Sequence, residues 1–135
     1  MFYFNSSGDI SKLSTSLTLS VARRWSAATT ISYNGVDYAI FGGGSNGSGY
    51  GSYKDTIDVF YFNSSGTFSK LSTSVTLSVG RDNLAATTIS YNGVDYAIFG
   101  GGYGGSSSNV IDVFYFNSSG NCSKLDTSLT LSVGR

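Results

Sequence analysis

Histidine, proline, glutamate and glutamine are all absent from these 135 residues, and cysteine occurs once, at Cys122. Each absence removes a class of protein. Without Glu and Gln, and with Ala sparse, a helical bundle lacks its best helix formers. One cysteine excludes a disulfide scaffold, and the lack of histidine excludes zinc sites and His-based catalysis. Collagen is excluded by the missing Pro and by glycine that keeps no strict period. Charge is scarce. The eight acids are all Asp and balance eight Lys and Arg, so the net charge is zero. That balance argues against nucleic acid or an anionic membrane as the main partner. No apolar run approaches the roughly 18 residues that cross a bilayer, so no membrane insertion is expected. The start shows no basic region followed by an apolar one, so no secretion signal is visible, and the compartment stays open between cytoplasm and cell surface.

What is present favours β structure. Ten Tyr, nine Phe and abundant Thr and Val suit strands, and 18 Gly with many Asn suit tight turns. Ser, Thr and Gly together make 56 of the 135 residues, yet 40% of the chain is hydrophobic, which is too much for a disordered segment.

A repeat organises the chain. Phe2–Gly44 matches Phe60–Gly102 with a shift of 58 and only seven differences over 43 positions. These are Asp9/Thr67, Ile10/Phe68, Leu17/Val75, Ala22/Gly80, Arg24/Asp82, Trp25/Asn83 and Ser26/Leu84. A third copy runs from Phe114 to Arg135 with a shift of 54. The four-residue difference falls in the loop after the Gly triplet, 15 residues from Ser45 to Val59 against 11 from Tyr103 to Val113. Length variation confined to one loop is expected of a repeat array with one variable face.

Each repeat reads as four strands. Ala27–Tyr33 and its copy Ala85–Tyr91 come first, followed by Asn34-Gly35 and Asn92-Gly93, the strongest short-range hairpin signal. Val36–Phe41 and Val94–Phe99 are second, each ending in a Gly triplet. Ile57–Phe62 and Ile111–Phe116 are third. Their Val-Phe-Tyr-Phe runs are apolar on both faces and call for burial on both. Asn-Ser-Ser-Gly then turns the chain. The fourth strand is expected near Phe68–Thr73, continuing toward Val79, and Leu13, Leu17, Leu19 and Val21 mark one apolar parity in its first copy. Two strands in 1–21, four in 22–79 and four in 80–135 give two and a half units of one partial domain.

Four-stranded units at a period near 50 residues point to stacked blades. The ordered set of an apolar strand ending at Phe41, a Gly run, Tyr61, then Phe68 seven positions on and Arg81 before the next inner strand resembles the kelch repeat of β-propellers. The likeness covers nearly the whole chain. Departures are Ile10, Phe68 and Cys122 at the family's Trp position, and Phe4, Phe62 and Phe116 where Asp often follows the Tyr. The resemblance implies an all-β propeller that serves as an interaction scaffold. Propellers usually have four to eight blades. Two and a half blades therefore imply either a piece of a longer array or a ring completed by self-association.

Candidate sites follow. Gly42-x-Gly44-x-x-Gly47 and Gly100-x-Gly102-x-x-Gly105 fit a dinucleotide fingerprint literally, but a strand rather than a helix follows, so no nucleotide cofactor is expected. Arg23, Arg81 and Arg135 recur before the inner strand. They either bond carbonyls of a neighbouring blade or, as the resemblance implies, ring a central opening where guanidinium grips carboxylate. Arg24 and Trp25 break the repeat and are residue types favoured in binding hot spots. Tyr50, Tyr53 and Lys54 in the long loop, and Tyr103 in the short one, suit stacking on a peptide or a sugar ring. Asp37/Asp95 and Asp58/Asp112 recur in equivalent environments, which suits a turn or strand-edge role better than a catalytic pair. Cys122 replaces Phe68 and reads as a small strand hydrophobe. Asn5, Asn46, Asn63, Asn117 and Asn121 fit the N-x-S acceptor pattern for N-glycosylation, which counts only in a eukaryotic secretory pathway. No metal, no cofactor and no catalytic set is expected. The expected role is a non-catalytic module for a protein or peptide ligand, with a carbohydrate-binding or adhesion module as the alternative.

Overall fold

The computed structural model describes residues 1–49 and 51–135. Among them are ten strands and no helix. They are β1 (Phe2–Phe4), β2 (Ile10–Lys12), β3 (Ala27–Tyr33), β4 (Val36–Gly42), β5 (Ile57–Phe62), β6 (Phe68–Leu71), β7 (Ala85–Tyr91), β8 (Val94–Gly100), β9 (Ile111–Phe116) and β10 (Cys122–Leu125). They form three antiparallel sheets, β1-β2, β3-β4-β5-β6 and β7-β8-β9-β10, each pairing only neighbours in sequence. The three sheets coincide with the half unit and two full units of the repeat.

Local chemistry sets the turns. Asn34 and Gly35 have φ of 49° and 76°, and Asn92 and Gly93 repeat them at 50° and 76°. Two successive left-handed residues make the turn whose twist matches the strands on either side. They fix the register at Tyr33↔Val36 and Tyr91↔Val94. The Asn-Ser-Ser-Gly turns work differently. Asn63 Oδ1 accepts the amides of Ser65 and Thr67, and Asn5 and Asn117 do the same in their copies. The side chain thus replaces a missing backbone partner.

The fourth strand is shorter than its pattern predicts. It ends at Leu71, and at Leu125 in the copy, because the hydroxyls of Thr73 and Thr127 accept the amides of Val75 and Leu129. Such local bonds compete with the ladder. Pairing resumes only at Thr56↔Thr76 and Val110↔Thr130. Relative to Val59↔Leu71 and Val113↔Leu125, two extra residues have been let out on the outer side. From there the chain runs extended to the next inner strand.

Each four-stranded sheet has two faces. Ile31, Tyr33, Tyr38, Ile40, Val59 and Leu71 share one, and Phe41, Phe60, Phe62 and Phe68 share the other. We call these the aliphatic and the phenyl face. The aliphatic face of the first sheet packs on the phenyl face of the second. Tyr38 and Tyr33 lie 4.4 and 5.3 Å from Phe116, ring centre to ring centre. The Thr29 and Thr88 hydroxyls meet at 2.7 Å, and the Ser32 amide donates to Asp95. Ile31, Ile40, Val59, Phe99 and Phe114 are all buried in this interface, which covers one face of β5 and one of β9; the expected burial of both faces is incomplete, since Phe62 on the other face of β5 is 43% exposed. Cys122 closes its outer edge, buried as expected of a strand hydrophobe.

Burial pushes the Cys122 thiol up to about 11, against a weaker opposing hydrogen bond with Thr73. Since the thiolate is the reactive form, the folded protein should not react with a disulfide reagent at pH 8. The same reagent in denaturant should titrate one thiol per chain. Rapid labelling of the native protein would mean that the outer edge of the interface is open.

Candidate binding face

The Gly triplets mark one end of the sheets, opposite the Asn-Gly turns. Extended segments cross from one sheet to the next there. Gly43 has φ of +67°, and a Cβ on it would stand 2.5 Å from the carbonyl oxygen of Arg81. Gly44 has φ of +103°, and its Cβ would stand 2.7 Å from the carbonyl oxygen of Arg24. Only glycine allows both the dihedral and the approach. The amide of Gly44 donates to that Arg81 carbonyl, and the Gly102 amide donates to the carbonyl of Arg135.

A buried ionic cluster holds each crossing segment. The Asp58 carboxylate accepts the amide and hydroxyl of Ser20, and lies 2.8 Å from Nη1 of Arg23 and 2.7 Å from Nζ of Lys70. In the next copy Asp112 accepts from Ser78 and pairs with Arg81 at 2.8 Å and Lys124 at 2.6 Å. Asp58, Asp112 and Arg81 are all buried. Burial alone would raise the Asp58 carboxyl, but Lys70, Ser20 and Arg23 together hold it down to about 2. Asp112 is lowered in the same way, against its own burial, by Lys124, Ser78 and Arg81.

Two of the three recurring arginines therefore face inward. Arg81 is fully enclosed, donates to the carbonyls of Val79 and Phe99, and is committed to Asp112. Arg23 is equally committed to Asp58. Neither guanidinium is presented to a ligand, because leaving its carboxylate would strand a buried charge. Arg135 is exposed. Asp58 and Asp112 sit within strands β5 and β9 as ion-pair anchors, not in turns. Asp37 and Asp95 do lie beside the hairpin turns, bonded to the hydroxyls of Ser32 and Ser90.

Beyond the buried arginines the chain reaches the open face. Arg24 bridges Ser45, Ser45 bridges Tyr53, and Asp82 bridges Tyr103. The rings of Tyr53 and Tyr103 meet edge to face at 5.7 Å. The Asn83 amide donates to the carbonyl of Trp25 at 3.0 Å and closes the circle between the two units. The structure thus brings together Arg24, Trp25, Tyr53 and Tyr103. Lys54 is adjoined through its amide, which donates to Gly44, and its ammonium, which donates to Gly51. Tyr50 lies outside the described residues.

Trp25 is the unusual member. Its φ of 57° is shared by Asn83 at 52° in the equivalent place. Asn tolerates this region, but a bulky residue there is an outlier. The indole is half exposed, with the Arg24 guanidinium 3.9 Å above the ring. Among the described residues no carboxylate pairs with Arg24, and no three His, Cys, Asp or Glu side chains group to hold a metal. Neither a family model nor a curated protein matches the chain.

A carboxyl held at about 2, against an ordinary 3.8, stabilises the fold above pH 4, and the contribution disappears as pH falls toward 2. At 1.36 kcal/mol per unit that is roughly 2 kcal/mol for Asp58. Urea unfolding at pH 7, 4 and 2.5 should show the loss, and Asp58→Asn should make the profile shallower, Asp112 retaining its own part, while lowering stability at pH 7. Separately, Trp25→Asn gives the position the residue its backbone prefers. Relief of backbone strain, of order 1–3 kcal/mol, should offset the lost ring contact, so stability should hold or rise by about 1 kcal/mol. A loss above about 1 kcal/mol would mean that the fold itself needs the indole.

Proposed function

We propose that the sheets are kelch-like propeller blades and that the chain is a non-catalytic interaction module presenting its loop face to a peptide. The observation that carries this is Trp25. The fold asks for Asn at that place, supplies it in the second copy, and in the first carries a half-exposed indole stacked under an arginine. A stacked Arg–Trp pair with its charge uncommitted suits a ligand that offers a carboxylate beside an apolar or aromatic group. Tyr103, 43% exposed on the same circle of contacts, extends the contact area at low entropic cost. The face rests on crossing segments that buried ion clusters hold to their sheets, so a ligand meets it largely preorganised.

Blade identity is supported by the meander order of each sheet, by face-to-face packing of successive sheets and by crossing segments that leave the outer strand for the next inner one. Carbohydrate binding is the competing reading, because the free side of the Trp25 ring and Tyr103 could each stack on a sugar.

A random peptide array and a glycan array, probed with the wild-type chain, separate the two. Peptides rich in acidic and aromatic residues should be selected. Trp25→Asn and Tyr103→Ala should each weaken binding at least tenfold, about 1.4 kcal/mol, the first without loss of stability and the second at the cost of its ring contact with Tyr53. Selection of glycans with the same variant sensitivity would move the assignment to carbohydrate. Binding untouched by either variant would remove this face from consideration.

A further inference from the structure

The interface between the two full sheets also shows what would fit the uncovered ends. In the first sheet the aliphatic face is covered: Ile31 is 1% exposed and Ile40 is buried. In the second sheet the same face is open: Ile89, the copy of Ile31, is 54% exposed and Tyr91 is 67% exposed. An apolar depression of about 440 Å³, lined by Ile89, Tyr91, Tyr96, Ile98, Val113 and Leu125, occupies it. At the other end the phenyl face of the β1–β2 hairpin is open. Phe2, Phe4 and Ile10 are 72%, 72% and 69% exposed, while their copies Phe114, Phe116 and Cys122 are 0%, 5% and 8% exposed. One end thus bears an uncovered aliphatic face and the other an uncovered phenyl face, and inside the chain these two faces pack together.

We propose that the open face of the second sheet takes the β1–β2 hairpin of a second copy of this chain, head to tail. The repeat fixes the contacts. Tyr38 and Tyr33 enclose Phe116 within the chain. At the corresponding places Tyr96 and Tyr91 of one copy enclose Phe4 of the other. Near-identity of the repeats makes the hairpin, the counterpart of β9–β10, complementary to the Tyr91 and Tyr96 part of that face, and exposed apolar faces of this extent ordinarily mark contacts between proteins. The contact is heterologous, so it either closes into a ring or runs on as a filament. It does not depend on what the loop face binds.

The test uses light scattering after size exclusion over a dilution series, with the full chain. The wild type should exceed its 14.2 kDa monomer mass in a concentration-dependent way. Phe4→Lys blocks one end and Tyr91→Lys the other, both at exposed positions. Each variant alone should be monomeric. Mixed in equal amounts they should give one species of twice the monomer mass, because each retains the end the other lacks. If Tyr91→Lys does not fold, Tyr96→Lys on the same face replaces it. A wild type that is monomeric at every concentration overturns the proposal. So does a single variant that still associates, since that contact would not be head to tail, or a mixture that stays monomeric.

Discussion

A buried carboxylate in the third strand of each full unit is the interaction on which the rest depends. Asp58 and Asp112 collect the amide and hydroxyl of a serine, an arginine from the crossing segment and a lysine from the outer strand. Each therefore ties the incoming segment to two strands of the sheet it is about to enter. A buried ion pair is weak evidence of net stability, because desolvation offsets much of the attraction. Its effect here is positional. Losing one partner leaves the others charged in a dry site, which typically costs 3–5 kcal/mol, so the crossing segment has one place to lie. That place requires the Gly triplets, whose missing Cβ atoms leave room for the Arg81 and Arg24 carbonyls. Past the arginine the chain is delivered to the open face, and Trp25 and Asn83 acquire their left-handed backbone there.

The sheet faces are the second constraint. Aliphatic and phenyl faces interlock at the interface between the two four-stranded sheets, with Tyr38 and Tyr33 around Phe116 and Phe99 filling the space beside Gly42. The repeat copies both faces onto every unit. The same residues are therefore core in one unit and surface in the next, as Ile31 and Ile89 show.

Much of this was legible in the sequence. Asn-Gly between apolar runs located both inner hairpins, because two successive positive φ values suit few other pairs. The apolar runs of β5 and β9 pointed to burial on both faces, and the structure covers one face of each, leaving Phe62 43% exposed. The length of the fourth strand was less legible, because Thr73 looks like a good strand residue until its hydroxyl takes the Val75 amide. The role of Asp58 and Asp112 was missed as well. A carboxylate amid apolar strand residues is readable as buried only if its partners are known, and those lie far off in sequence. One clue was available: Arg23, Asp58 and Lys70 recur unchanged as Arg81, Asp112 and Lys124. On the open face, the replacement of Asn83 by Trp25 was visible as a break in the repeat. Its strained backbone and its stacking with Arg24 came only with the structure.

Amide hydrogen exchange, compared between the wild type and Asp112→Asn, tests the positional role most directly. If the carboxylate pins the crossing segment, the amides of Leu77, Ser78 and Arg81 should lose protection in the variant, while those of the β7–β8 hairpin keep theirs. Equal loss across both sheets, or no loss at Ser78, would contradict it.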